Sequence, residues 1–137
     1  MARILAFDFG LKRVGVAVSD PLQIIANSLE TVPTLVIYDF IAKYLKAEEV
    51  ECFVVGYPYN NYSGENEVAK YVNQFIAKLS SMYPDKPIHK IDERFTSTMA
   101  KHTLLLSGVS KKERQKKENT DAIAANLILQ TFMASKH

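Results

Sequence analysis

Residues 3–20 read Arg3-Ile-Leu-Ala-Phe-Asp-Phe-Gly-Leu-Lys-Arg-Val-Gly-Val-Ala-Val-Ser-Asp20. Two segments of strand composition, 3–9 and 13–19, flank a break at Gly10 to Lys12 that is too short for anything but a tight turn, so we predict an antiparallel hairpin. Asp8 lies at the far end of the first strand, where a carboxylate is costly to bury without a cation, a metal or hydrogen-bond donors. The hairpin therefore predicts the start of a sheet and draws attention to Asp8.

The rest of the chain alternates between further strands and helices. Apolar runs and their breaks predict three further strands, within 24–32, at 52–56, which is buried, and at 87–91. They also predict helices from Thr34 onward, around 68–79, at about 96–106 and from near Asn119 or Thr120. A basic loop at 110–117 precedes the last helix. This order predicts an α/β fold with a mixed five-stranded sheet. Strands one to three form an antiparallel meander, two further strands join in parallel through crossover helices, and helices cover both faces of the sheet. We expect one domain over residues 1–137.

The composition is that of an ordinary globular domain. The 137 residues are 47% hydrophobic and 23% charged, with a net charge of +2. No run approaches the roughly 18–20 apolar residues that a membrane span needs, and no signal peptide is recognisable, so we expect a cytoplasmic protein without a membrane partner. Cys52 is the single cysteine and lies in an apolar run. We expect it to be a small buried core residue.

Three acids fall where α/β folds build sites, at strand ends or at the start of a helix. Asp8 ends the first strand, Glu93 follows the fifth strand, and Asp121 lies in the first turn predicted for the last helix. Each acid has an alternative interpretation by itself: a turn residue, a surface ion pair and a helix N-terminal charge, respectively. Together, three hard oxygen ligands suit Mg²⁺ or Mn²⁺ rather than zinc. Two such ions can catalyse phosphodiester hydrolysis.

Cations accompany these acids along the chain. Lys12 and Arg13 follow Asp8, and Arg94 follows Glu93. The segment that leads to Asp121 adds five more cations: Lys111, Lys112, Arg114, Lys116 and Lys117. A solvated loop is the alternative for that segment, but a polyanion such as nucleic acid would bring phosphates to these side chains.

Four motifs also carry a family resemblance. They are Asp8-Phe-Gly-Leu-Lys-Arg-Val-Gly-Val-Ala-Val-Ser-Asp20, Val55-Gly-Tyr-Pro58, Asp92-Glu-Arg-Phe-Thr-Ser-Thr98 and Asp121-Ala-Ile-Ala-Ala125. In these the chain resembles the YqgF (RuvX-like) family, whose members are named pre-16S ribosomal RNA nucleases or Holliday junction resolvases. The resemblance implies a ribonuclease H-like fold with the first strand at its centre. It also implies that Asp8, Glu93 and Asp121 form the metal-binding catalytic set.

The leading prediction is a hydrolase, a two-metal-ion endonuclease that cuts structured nucleic acid with Mg²⁺ or Mn²⁺. The resemblance favours 5′-end processing of precursor 16S ribosomal RNA in ribosome biogenesis, with structured RNA and ribosomal precursor particles as partners. One alternative is a resolvase of branched DNA, which makes two cuts and would need a homodimer rather than a monomer. A second is a nucleic-acid-binding regulatory protein with little catalysis, because Ser63 stands where the family has an acid. An ATPase is disfavoured, since one domain cannot supply a two-domain cleft.

Overall fold

Five strands form one mixed sheet in the computed structural model, which describes residues 2–58, 67–92 and 117–135, without the side chains of 67 and 117–122. The strands are β1 (Arg3–Phe9), β2 (Arg13–Ser19), β3 (Ala26–Pro33), β4 (Val50–Tyr57) and β5 (Ile88–Asp92). Their order across the sheet is β3-β2-β1-β4-β5, with β1 in the centre. The pairs β1–β2 and β2–β3 are antiparallel, whereas β1–β4 and β4–β5 are parallel. The predicted hairpin, meander and parallel crossovers are confirmed.

Three helices belong to the described part of the chain: α1 (Ile37–Ala47), α2 (Glu67–Met82) and α3 (Lys117–Ser135). A 3-10 turn over Thr34–Val36 precedes α1. No helix in residues 2–58, 67–92 and 117–135 is long and apolar enough to cross a membrane. The predicted helix at 96–106 lies outside the described residues, as does the basic loop except for Lys117.

The predicted start of the last helix was too late by at least two residues. Lys117 is already helical, so Asp121 lies beyond the first turn in which it was predicted. Asn and Thr are favoured helix caps, but they are also tolerated inside a helix. Lys117 and Glu118 are good helix formers, and they extend the helix past the expected cap.

The two faces of the sheet carry separate cores. Leu5 and Phe7 of β1 belong to a buried cluster with α1 and α2, in which Phe75 has its ring centroid 5.4 Å from that of Phe7. Ile4 and Ala6 belong to the cluster that α3 covers. Side chains alternate along a strand, so each position of β1 is assigned to a face by its number. Cys52 is buried in the α3 cluster, as predicted.

Asp20 organises the connection between β2 and β3. One carboxylate oxygen accepts hydrogen bonds from the backbone amides of Ile24 and Ile25, both at 2.7 Å, and the other accepts one from Leu22 at 3.2 Å. Gln23 within this loop has a φ of 59°, in the left-handed region. These amides are held by Asp20 rather than by β2, so β3 begins at Ala26 instead of at the predicted residue 24. Asp20 therefore has a structural role, although it ends the same motif that begins with Asp8.

The same hydrogen bonds give Asp20 a pH-dependent effect on stability. The amides of Ile25, Ile24 and Leu22 lower the pKa of this carboxyl below its ordinary 3.8. A lowered native pKa stabilises the fold above the unfolded pKa, and this contribution is lost as the pH falls through the native value. We expect Asp20→Ala to lower the urea midpoint at pH 7. The difference in midpoint between the variant and wild type should narrow below about pH 3.8. Glu49→Ala, at an exposed acid, is the control; an equal gap at every pH would contradict the prediction.

Candidate active site

The three parallel strands end at one edge of the sheet, where α/β folds place their sites. Phe7 is opposite Val55 in the β1–β4 register, and Tyr57 is opposite Asp92 in the β4–β5 register. Asp8 therefore lies beside the end of β4 and at the level of the end of β5. We call this edge the Asp8 edge.

Glycines flank Asp8 on both neighbouring strands. Gly15 is directly opposite on β2, and Gly56 is the next residue after Val55, the β4 partner of Phe7. The position opposite Asp8 on β2 and the position after Val55 on β4 therefore carry no side chain, and Asp8 itself is half-buried. Neither glycine was among the predicted site residues, although both belong to the motifs that carry the family resemblance. By alternation from Ile4 and Ala6, Asp8 lies on the α3 face.

The path of α3 brings its N-terminal part to the Asp8 edge. The side-chain amide of Asn126 donates to the carbonyl of Ala26 at 3.2 Å and to the hydroxyl of Ser28 at 3.3 Å. Farther along the helix, Met133 and Gln130 line a cavity of about 260 Å³ with Ile24, at the opposite edge of the sheet. The helix thus runs from the Asp8 edge toward the start of β1.

The level of residue 121 along this path follows from the helix rise. Ser28 pairs with Ala17, which pairs with Ala6, so Asn126 is near the level of Ala6. Residue 121 precedes Asn126 by five residues, which is about 7.5 Å of helix. Asp8 lies two residues beyond Ala6, which is about 6.6 Å of strand. The backbone of Asp121 is therefore at about the level of Asp8, on the same face of the sheet.

The strand β5 leads toward the third predicted acid. The ring of His89 packs 4.7 Å from that of Phe132 in α3, and Ile91 packs against the α3 cluster. Asp92, the last residue of β5, alternates to the other face. Glu93, the next residue in the chain, lies outside the described residues.

Tyr57 links β4, β5 and α2 at this edge, although it was not among the predicted site residues. Its hydroxyl accepts a hydrogen bond from the side-chain amide of Asn73 at 2.9 Å. The ammonium of Lys90 lies 4.8 Å from the centroid of its ring. The position of Tyr57 between Gly56 and Pro58, in a motif that carries the family resemblance, could have indicated this role from the sequence.

The predicted cations are partly within the described residues. Lys12 is exposed in the β1–β2 turn and Arg13 is half-buried at the start of β2, both near Asp8. The others are outside: Arg94, Lys111, Lys112, Arg114, Lys116 and the side chain of Lys117. Among the described side chains no group of three His, Cys, Asp or Glu residues forms a metal site. Asp8 supplies a carboxylate oxygen that suits a hard cation, so the fit to Mg²⁺ rests on Asp8 and on the backbone position of residue 121.

Comparison with known structures identifies the architecture. The fold matches RuvC of Thermus thermophilus, solved in complex with a Holliday junction substrate, with a TM-score of 0.62 and 18% sequence identity over 99% of this chain and 96% of that chain. This sheet and its helices are thus of the RuvC type, a ribonuclease H-like fold.

Sequence comparison identifies the family. The model of the RuvX family, described as Holliday junction resolvase, matches residues 2–135. Relatives named "Putative pre-16S rRNA nuclease" are 48% identical in Phocaeicola vulgatus and 46% identical in Bacteroides fragilis, each over 136 residues. These alignments cover 99% of this chain and 98% and 99% of the relatives. The chain belongs to the RuvX (YqgF) family of nucleases.

Proposed function

We propose that this protein is a metal-dependent endonuclease that processes the 5′ end of precursor 16S ribosomal RNA. The observation that carries the proposal is the position of Asp8, between two glycines at the edge where three parallel strands end. The names of relatives at 46–48% identity support the choice of RNA as substrate.

The metal set of the proposal is Asp8, Glu93 and Asp121. Asp8 and the backbone of residue 121 share one face and one level of the sheet. Glu93 is the residue that follows β5 in the sequence, and His89 and Ile91 of β5 contact the α3 cluster. Such carboxylates would hold two Mg²⁺ or Mn²⁺ ions, which would activate water and stabilise the leaving oxygen.

The cations of the proposal bind the substrate backbone. Lys12 and Arg13 follow Asp8 directly and would contact phosphates next to the scissile bond, where Arg can donate two parallel hydrogen bonds. Arg94 and the cations of 111–117 would extend this contact along the strand. Binding should therefore weaken steeply with salt.

A cleavage panel tests the proposal. It offers precursor 16S RNA, single-stranded RNA, RNA–DNA hybrids and four-way DNA junctions to the purified chain, with Mg²⁺, with Mn²⁺ or with EDTA. We expect metal-dependent cleavage of the precursor at a defined position. Absence of cleavage of every substrate with either metal would contradict the proposal.

A second candidate is a resolvase of four-way DNA junctions. The description of the family and the RuvC-type fold favour it. Resolution needs two coordinated cuts, and therefore two copies of the site related by symmetry. Paired symmetric nicks by a stable dimer, without cleavage of the precursor RNA, would establish this candidate in place of the first.

The packing of α3 on the sheet provides a further prediction. Ala125 of α3 is fully buried in a cluster with Ala6 and Ala17, and these small side chains let the helix lie close to β1 and β2. Ala125→Leu should cost about 1–3 kcal/mol of stability and push the N-terminal part of α3 away from Asp8. We expect cleavage to fall about 10-fold or more in protein that is still folded, because small displacements are costly in catalysis.

Ala134→Leu, the same change at an exposed position of α3, is the control and should leave the rate unchanged. Single-turnover rates and urea midpoints separate the two effects. Full activity of a destabilised Ala125→Leu protein would argue against a role for the position of α3.

A further inference from the structure

Two leucines are exposed beside the Asp8 edge, on segments that are joined to each other. Leu35 in the 3-10 turn is 96% exposed and Leu11 in the β1–β2 turn is 52% exposed. Thr34 connects the segments: its amide donates to the carbonyl of Lys12 at 3.0 Å, and its hydroxyl donates to the carbonyl of Gly10 at 2.7 Å. We call Leu11 and Leu35 together the apolar knob.

The backbone under the knob is tightly held. A Cβ atom at Gly10 would come within 2.6 Å of the carbonyl oxygen of Arg13. The backbone approach in this turn therefore leaves room for glycine only. The two hydrogen bonds of Thr34 fix the 3-10 turn against it. The leucines therefore project from a rigid base, which a side chain needs if it is to be inserted into a partner.

Charge around the knob indicates what covers it. Lys12 is exposed, follows Leu11 in the β1–β2 turn and precedes Arg13, and its carbonyl accepts the hydrogen bond from the amide of Thr34. A two-fold contact between copies of this chain would bring these cations against each other, which is unfavourable. A polyanion with apolar faces satisfies both features. Nucleic acid has that chemistry, with phosphates for the cations and base faces for the leucines.

We propose that the apolar knob packs against unstacked nucleobases of the substrate and thereby directs the enzyme to unpaired or branched positions. Proteins that bend or open nucleic acids insert leucine and similar side chains at base steps in this way. The inference rests on the proposed function, because it concerns how the same edge selects its substrate. It makes Leu11 and Leu35 determinants of specificity rather than of catalysis.

The test measures binding by fluorescence anisotropy, with Ca²⁺ in place of Mg²⁺ so that substrate is not consumed. The probes are an RNA hairpin with unpaired nucleotides beside the stem and a fully paired RNA duplex of equal length. The double variant Leu11→Ser/Leu35→Ser should bind the hairpin about 10-fold more weakly, as expected for losing one or two base contacts. Its affinity for the duplex should be unchanged. Leu35→Met, which keeps an apolar side chain, should bind both like wild type.

Ile24→Ser is the matched control, because Ile24 is 69% exposed at the opposite edge of the sheet. It should bind the hairpin like wild type. Equal affinity of the double variant and wild type for the hairpin would overturn the inference, as would an equal loss on both probes. A change of sedimentation from dimer to monomer in the double variant would also overturn it and assign the knob to self-association.

Cleavage by the wild-type protein separates this inference from the function it rests on. If wild type cuts no substrate in the panel but the double variant still loses hairpin binding, the nuclease proposal fails and the knob remains a nucleic-acid contact. If wild type cuts the precursor RNA and the double variant binds and cuts it equally well, the inference fails and the nuclease proposal stands.

Discussion

Asp8→Asn is expected to lower the rate of Mg²⁺-dependent cleavage at least about 100-fold without unfolding the protein, because loss of an outer-shell partner of a metal ligand already costs 10–100-fold. The amide has nearly the shape of the carboxylate, so the sheet around Gly15 should tolerate it. The amide lacks the negative charge with which the carboxylate would bind a divalent cation. Single-turnover cleavage measures the rate, and calorimetric titration with Mn²⁺ measures metal binding directly.

Asp20→Asn is the matched control for this experiment. It also replaces a carboxylate with an amide, but at the last residue of the motif 8–20. This residue lies in a loop at the edge of the sheet opposite the Asp8 edge. We expect cleavage by Asp20→Asn to remain near the wild-type rate at 25 °C. Wild-type cleavage by Asp8→Asn would contradict the assignment of Asp8. Complementation of a deletion strain by an inactive Asp8→Asn protein would favour a function in binding.

Phe75→Ala is expected to have the largest effect on stability, about 3–5 kcal/mol. The ring of Phe75 is almost fully buried and contacts three others, with centroids 5.4 Å from Phe7, 4.9 Å from Phe9 and 5.8 Å from Tyr38. Its removal deletes the ring contacts between α2 and β1, the strand that carries Asp8. Against a total stability of about 5–15 kcal/mol, this is a large fraction.

Phe40→Ala removes the same group where the ring is half-buried and stacks on Tyr44 with centroids 6.2 Å apart. We expect a clearly smaller loss, measured as the shift in urea midpoint at constant slope. Equal shifts for the two variants would contradict the ranking of these sites by burial.

Local patterns predicted the architecture because they reflect strong local forces. The short turn at Gly10 allows only an antiparallel hairpin, and the apolar run around Cys52 requires cover on both faces, as α3 and the opposite core provide. Element ends were less predictable, since long-range partners decide them. Asp20 captures the amides of Ile24 and Ile25, which delays β3 by two residues.

The site was predictable in part. The sequence predicted that Asp8 lies at the end of β1, and the structure adds that its neighbours on the two adjacent strands are Gly15 and Gly56. That arrangement depends on strand register, which composition and periodicity do not encode. The assignments of Glu93 and Asp121 as partners of Asp8 remain predictions.

The packing of α3 also has a consequence for biosynthesis. All five strands precede this helix in the chain, so during translation the face with Ile4, Ala6, Cys52 and Val54 has to wait for α3 before it is covered. Until then the nascent protein exposes an apolar sheet surface, which is prone to aggregation. The helix that hides this surface also carries Asp121. Docking of α3 would therefore cover the apolar surface and complete the proposed carboxylate set in one step. A chain that ends before α3 would have no cleavage activity.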